Sequence, residues 1–240
     1  MLYKSIFNTK NKKLAVLIDP DKQSEEKLAL ISKKSQKDGA DFFLVGGSLV
    51  SSSLDFTIEI IKQNSDLPVI LFPGSILQIS DKADGILLLS LISGRNPNLL
   101  IGNHVIAAPL LKKSSLEIIS TGYMLIDGGN KTSVEYMSNT KPIPADKADI
   151  AAATAIAGEI IGNKLIYLEA GSGAKNHVSA DLIKEVKKSI NIPLIVGGGL
   201  SNVNNLEKVC KAGADIIVTG TAFEKNSDLI KSFSEKIHSF

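Results

Sequence analysis

One unit recurs along this chain. A short uninterrupted apolar run is followed by a loop rich in glycine or acidic residues, then by a longer segment with apolar residues at helical spacing. The runs fall at 14–19, 40–45, 68–72, 85–90, 116–127, 164–169, 193–196 and 214–219. They do not alternate apolar with polar residues, so they read as strands covered on both faces, as in a parallel sheet. Helices are expected at 24–38, with Ser24 as N-cap and Gly39 just past the end, and at 54–63. Further helices are expected at 145–161, stopped by Gly162, and at 178–190, 202–211 and 227–238. The third run is followed only by 75–82, too short for a covering helix. Segment 116–127 holds two apolar runs around Thr121-Gly122 and reads as one strand, extended or bulged at the glycine. The polar stretch 131–141 reads as a loop.

Eight strand–helix alternations in 240 residues suit a (β/α)8 barrel, which typically needs about 250. A doubly wound open sheet is the alternative, but it carries its glycine-rich loop after the first strand. Here the first strand ends in Asp19-Pro20-Asp21-Lys22, and the glycines follow strands two, six and seven, with Gly220-Thr221 after strand eight. No low-complexity linker divides the chain. The expected architecture is therefore α/β: a modified TIM barrel with an irregular third βα unit, one domain over residues 1–240.

Composition narrows the function. Lys and Arg total 27 against 25 Asp and Glu, a net charge of +2, so no basic excess points to nucleic acid. There is no tryptophan and little aromatic surface for stacking bases. A single cysteine, Cys210, excludes an intrachain disulfide and any multi-cysteine metal cluster, and its apolar helix face marks it as core. The N-terminus lacks the apolar stretch of a secretory signal. The longest apolar stretches, 86–92 and 105–111, fall well short of the roughly 20 residues that span a bilayer. A cytoplasmic location is expected.

The chemistry-bearing residues sit where strands end. Strand seven ends in Gly197-Gly198-Gly199 and strand eight in Thr219-Gly220-Thr221. A barrel's phosphate site commonly lies at these loops, where glycine N–H groups and a helix N-terminus face the anion; the plainer reading is tight turns. Strand six ends in Tyr167-Leu168-Glu169-Ala170-Gly171-Ser172-Gly173. Tyr167 and Glu169 share one face of a strand, so both point into the barrel mouth. There the glutamate can take a proton from a substrate hydroxyl that the tyrosine orients; the alternative is a glutamate paired with a core lysine. Asp19 and Asp21, with the Ser48 hydroxyl of Gly46-Gly47-Ser48, offer the oxygen ligands that Mg²⁺ prefers. Asp-Pro-Asp is equally a turn with an Asx cap. His104, His177 and His238 have no ligand spacing for zinc.

Seven motifs in order, LIDPDK (17–22), VGGS (45–48), SGRNPNLLIGNH (93–104), TGYMLIDGG (121–129), YLEAGSGA (167–174), VGGGL (196–200) and TGTAFEKN (219–226), resemble the geranylgeranylglyceryl phosphate synthase family, including its bacterial heptaprenylglyceryl phosphate synthase relatives. The resemblance covers nearly the whole chain. It implies a modified barrel whose third helix is irregular. It implies a Mg²⁺-dependent prenyltransferase that joins sn-glycerol 1-phosphate to a polyprenyl diphosphate, forming an ether and releasing diphosphate. Asp19 and Ser48 are the implied metal ligands. The implied glycerol phosphate site comprises Tyr167, Leu168, Glu169, Ala170, Gly171, Ser172, Gly173, Gly198, Gly199, Gly220 and Thr221. Some members carry a lysine two residues before the first Asp; here that position is Leu17, so another group must supply that contact. Arg95 and Lys22 are candidate cations for the diphosphate, and 87–92 with the irregular third unit are candidate walls for the prenyl chain. Transient contact with a membrane surface and a homo-oligomer are expected. The alternatives are a longer heptaprenyl donor, or a phosphosugar isomerase or aldolase on the same barrel.

Overall fold

The apolar runs become eight parallel strands: β1 (Lys13–Ile18), β2 (Phe42–Val45), β3 (Val69–Leu71), β4 (Gly85–Leu91), β5 (Glu117–Leu125), β6 (Leu165–Glu169), β7 (Leu194–Gly197) and β8 (Ile216–Thr219). Each pairs with the next and β8 pairs with β1, so the sheet closes on itself. This architecture is that of a computed structural model covering residues 1–240. The covering helices are α1 (Glu25–Lys37), α2 (Leu54–Asn64), α3 (Asn103–Lys113), α4 (Ser133–Ser138), α5 (Ala148–Ile160), α6 (Ala180–Ser189), α7 (Val203–Ala212), α8 (Thr221–Lys225) and α9 (Leu229–His238).

Side-chain chemistry at the helix ends sets several boundaries. Ser24, Ser53, Ser179 and Asn202 accept from the N–H of Lys27, Phe56, Leu182 and Asn205, satisfying donors that a helix start leaves free. No helix follows β3, as its short connecting segment requires. One expectation is corrected. The stretch 131–141 contains α4, capped by Thr132 and closed by Asn139 with φ of 48°. The apolar stretch 105–111 lies within α3, entered through a wide turn over Asn98–Gly102. Strand β5 passes Gly122 without a bulge, in unbroken register with β4 from Gly85↔Glu117 to Leu91↔Tyr123. The glycine answers to packing instead: a Cβ there would lie 2.8 Å from Ile92 Cδ1 and 2.9 Å from Ile166 Cδ1.

Strand alternation divides the core in two. Leu14, Val16, Phe43, Val45, Ile166, Leu168, Val196 and Ile217 face outward and bury the inner sides of the helices, Cys210 of α7 among them. Ala15, Phe42, Leu44, Ile70, Leu87, Tyr167, Ile195 and Ile216 fill the barrel. The sequence reading missed how the lower end is closed. A turn over Tyr3–Phe7 drives Ile6 and Phe7 into the opening, and Phe7 meets Phe42 edge-on at 5.3 Å between ring centroids. The Glu117 carboxylate accepts from the N–H groups of Leu2 and Tyr3 and pins the turn. No helix is long and apolar enough to cross a membrane. Deleting the Phe7 ring leaves a cavity that the surrounding sheet cannot collapse into. Phe7→Ala is expected to lower stability by about 3 kcal/mol in urea unfolding; a loss under about 1 kcal/mol would show that the turn does not seal the barrel.

Candidate active site

At the carboxyl ends of the strands a cavity of about 1360 Å³ opens to solvent. One part is polar, walled by the loops after β1, β2, β6, β7 and β8. The other is an apolar arm, walled by Leu88, Ala107, Leu111, Val134 and Met137 together with Ile76 and Ile79 of the irregular third unit.

Glu169 stands in the polar part. The register of β6 on β7 sets it opposite Gly197. Its Oε1 accepts from the Gly171 N–H at 2.6 Å, and the side chain is 6% exposed. Burial penalises the charged form and pushes the carboxyl up to about 7; the Gly171 N–H and the neighbouring Tyr167 hydroxyl act against that rise. No lysine pairs with it. Glycine is required beside it. At Gly198, whose φ is +84°, a Cβ would lie 2.5 Å from Glu169 Oε1. At Gly197 it would lie 2.4 Å from the Tyr167 hydroxyl and 3.0 Å from Glu169 Oε2. The two oxygens therefore converge above the β7 backbone. The Tyr167 hydroxyl is buried beside Glu169, and its ring stacks on Phe72 and meets Tyr123 edge-on, each at 5.2 Å. Burial, then the nearby Glu169 charge, raises the tyrosine well above its usual range, so it stays a neutral phenol.

Ser172, Gly173, Gly198, Gly199, Gly220 and Thr221 all line the cavity. Ser172 Oγ and Thr221 Oγ1, 3.2 Å apart, join the loops after β6 and β8. Leu168 and Ala170 do not line it. The alternation that turns Tyr167 and Glu169 inward turns these two toward the helices, where both are buried. The Gly171 N–H is engaged by Glu169 and is not free for a phosphate.

Asp19 lines the cavity and is also the Asx cap the turn reading foresees. Its Oδ1 accepts from the Asp21 N–H at 3.2 Å, and its Oδ2 pairs with Lys22 at 3.0 Å. A Cβ on Gly47 would sit 3.4 Å from Asp19 Oδ2, so the peptide leading to Ser48 passes close to this carboxylate. Asp21 is occupied elsewhere. Hydrogen bonds from Ser52 and Ser51 pull it down to about 2, with the Ser52 and Ser51 N–H groups at 2.7 and 2.9 Å, which ties it to the start of α2. No group of three His, Cys, Asp or Glu side chains is placed to hold a metal ion by itself. One carboxylate and one hydroxyl suit Mg²⁺, which keeps waters and takes oxygens from substrate phosphates. Arg95, a candidate cation for the diphosphate, donates through Nη1 to the carbonyls of Ile92 and Gly94 and is not among the residues that line the cavity. Besides Lys22, Lys175 and Lys225 line the mouth. The sequence reading passed over both, although they lie within or next to the glycine motifs after β6 and β8. It also missed Asn176 and Gln78.

Residues 7–237 match the model of the PcrB family. The chain is 49% identical over 241 residues to the geranylgeranylglyceryl phosphate synthase of Chitinophaga pinensis, covering 99% of this chain and 96% of that one. It is 44% identical to that of Methanosphaera stadtmanae, covering 91% and 90%. A crystal structure of (S)-3-O-geranylgeranylglyceryl phosphate synthase from Thermoplasma acidophilum, in complex with its substrate sn-glycerol-1-phosphate, superposes with a TM-score of 0.92 at 36% identity, covering 96% and 95%. A Clostridium perfringens N-acetylmannosamine-6-phosphate 2-epimerase, 16% identical with a TM-score of 0.61, shares the barrel fold.

A carboxyl raised from 4.5 to about 7 favours the fold most while it is protonated. As pH climbs from 4.5 to 7 the unfolded chain ionises first, so this contribution is lost across that window and stays lost above it. Glu169→Gln, neutral at every pH, should therefore stabilise the protein relative to wild type, by on the order of 1–3 kcal/mol more at pH 8 than at pH 5. Urea unfolding at the two pH values measures this; an equal difference at both would contradict the buried-acid assignment.

Proposed function

The chain belongs to the PcrB family, and from that premise we propose that it is a prenyltransferase joining sn-glycerol 1-phosphate to geranylgeranyl diphosphate. The product is the ether geranylgeranylglyceryl phosphate, with diphosphate released. The reading is carried by one observation: a buried glutamate lines a cavity whose walls include both glycine-rich loops and apolar side chains. A phosphorylated triol and a long isoprenoid need those two environments side by side.

The residues divide the work as follows. Loops after β6, β7 and β8 receive the glycerol phosphate, with Ser172, Gly173, Gly198, Gly199, Gly220 and Thr221 nearest the phosphate. Tyr167 orients the 3-hydroxyl and Glu169, as carboxylate, takes its proton. The hydroxyl oxygen forms a bond to the allylic C1 of the donor as the C1–oxygen bond to diphosphate breaks, and the bonding pair leaves with the diphosphate. Holding both reactants in one mouth supplies the proximity term. When bound, Mg²⁺ held by Asp19 and Ser48 supplies positive charge for the departing diphosphate. Lys22, Lys175 and Lys225 provide the basic contacts that Leu17 does not.

A longer heptaprenyl donor is the close variant. A phosphosugar isomerase or aldolase has less support. An aldolase needs an inward lysine, and Lys164 precedes β6 at the opposite end, its ammonium 5.7 Å from the Tyr3 ring centroid. Self-association is supported by Val105, Ile106 and Leu110 on α3 and Ile160 on α5, all exposed. Passing contact with a membrane surface is supported by exposed Leu49, Leu77 and Met137 at the mouth. One buried, unpaired cysteine suits a reducing cytoplasm.

With glycerol 1-phosphate, Mg²⁺ and geranylgeranyl diphosphate the purified protein should form the ether, and a series of prenyl lengths separates the two donors. No ether with any length would overturn the proposal. Because the base must be ionised, kcat/KM should rise with pH through about 7 and level off above. Glu169→Gln should lower kcat by roughly 10²–10⁴-fold and abolish that limb. Asp19→Asn should raise the Mg²⁺ concentration needed for half-maximal rate by about tenfold or more; an unchanged requirement would remove Asp19 as a ligand.

A further inference from the structure

The loop after β2 and the segment standing where a third helix is missing meet backbone to backbone. A Cβ on Gly46 would fall 2.0 Å from the Phe72 carbonyl oxygen. A Cβ on Gly74 would fall 2.3 Å from the Gly47 carbonyl oxygen and 2.9 Å from Ser48 Cα. Gln78 closes this contact. Its side chain is buried, 5% exposed, and its amide is used three times. Oε1 accepts from the Gly74 N–H at 3.1 Å and the Gly47 N–H at 3.4 Å, while Nε2 donates to the Gly47 carbonyl at 2.9 Å. Both backbone polar groups of Gly47 are thus tied to one side chain. The carbonyl belongs to the peptide leading into Ser48, and Gly47 itself packs against Asp19 Oδ2.

A helix after β3 would ordinarily fix the neighbouring loop by packing. Here an amide does so, and burying one is tolerated only when its hydrogen bonds are made. The same short segment contributes Ile76, Leu77 and Ile79 to the apolar arm. It therefore borders the place for the prenyl tail while gripping the loop at the place for the diphosphate head.

We propose that Gln78 is a positioning residue for the diphosphate head: by clamping Gly47 it fixes Ser48 and the β2 loop beside Asp19. This rests on reading Asp19 and Ser48 as the head-group site. A purely structural glutamine would move stability and affect both substrates alike. A positioning glutamine weakens one ligand and spares the other.

The test is calorimetric binding of inorganic diphosphate with Mg²⁺ present and glycerol 1-phosphate saturating, followed by glycerol 1-phosphate binding alone. Wild type, Gln78→Met, Gln78→Glu and Asp19→Asn are compared, each checked for folding by circular dichroism. Gln78→Met keeps the shape and loses all three hydrogen bonds. It should weaken diphosphate about tenfold or more, as losing buried hydrogen bonds implies, and leave glycerol 1-phosphate within about twofold. Gln78→Glu keeps the two accepted bonds and loses the donated one. It should also weaken diphosphate selectively, and it decides the matter if the Met variant does not fold. Diphosphate binding within about twofold of wild type in a folded variant, or equal weakening of both ligands, would overturn the proposal. If Asp19→Asn also leaves diphosphate binding unchanged, the head-group reading itself fails. If Asp19→Asn weakens it and the Gln78 variants do not, Gln78 alone is wrong.

Discussion

The site depends on keeping one carboxyl out of water. Glu169 is held by a single short bond from the Gly171 N–H, between the hydroxyl of Tyr167 and a β7 backbone that only glycine can supply. An ionised group in such surroundings is costly, which is why its titration moves toward neutrality. The geometry follows from barrel closure. Register places Glu169 opposite Gly197, alternation turns Tyr167 and Glu169 inward together, and the aromatic floor of Phe72, Tyr123 and Tyr167 excludes water from below.

The second constraint is the helix the fold lacks. Omitting it after β3 opens the side of the barrel mouth, and the apolar arm occupies that space between α3, α4 and the segment carrying Ile76 and Ile79. Without it the β2 loop has no helix to rest on, and Gln78 takes over by hydrogen bonding. One omission thus accounts for room for an isoprenoid and for an unusual buried amide. The near-zero net charge fits the same picture: the glycine-rich loops and a few lysines at the mouth offer anion contacts locally, rather than a field over the whole surface.

Much of this was legible in the residues. Continuous apolar runs with glycine or acidic endings identified the strands and the catalytic rim, because parallel strands are buried on both faces. Ser24 and Gly39 marked the bounds of α1. The pairing of Tyr167 with Glu169 followed from strand period alone. The same period turns the side chains of Leu168 and Ala170 toward the helices, whereas the motif carried over as a block includes them. What was not legible depends on distant partners. Phe7 becomes a plug because Phe42 waits inside the barrel, and Arg95 turns back on its own loop. Helix α4 lies in a polar stretch, and its Thr132 cap and left-handed Asn139 signal it more clearly than any periodicity. Gln78 carries no signal of its own even with the third helix read as missing, because its partners are backbone groups of Gly47 and Gly74.

The central claim is that Glu169 is a buried acid poised to act as a base near neutral pH. Its titration can be followed directly by the ¹³C resonance of the side-chain carboxyl in selectively labelled protein, assigned by its loss in Glu169→Gln. A midpoint near 7 is the result expected. A midpoint near the ordinary glutamate value of 4.5 would contradict the account, for it would mean that water reaches the carboxylate and that the barrel mouth does not tune it.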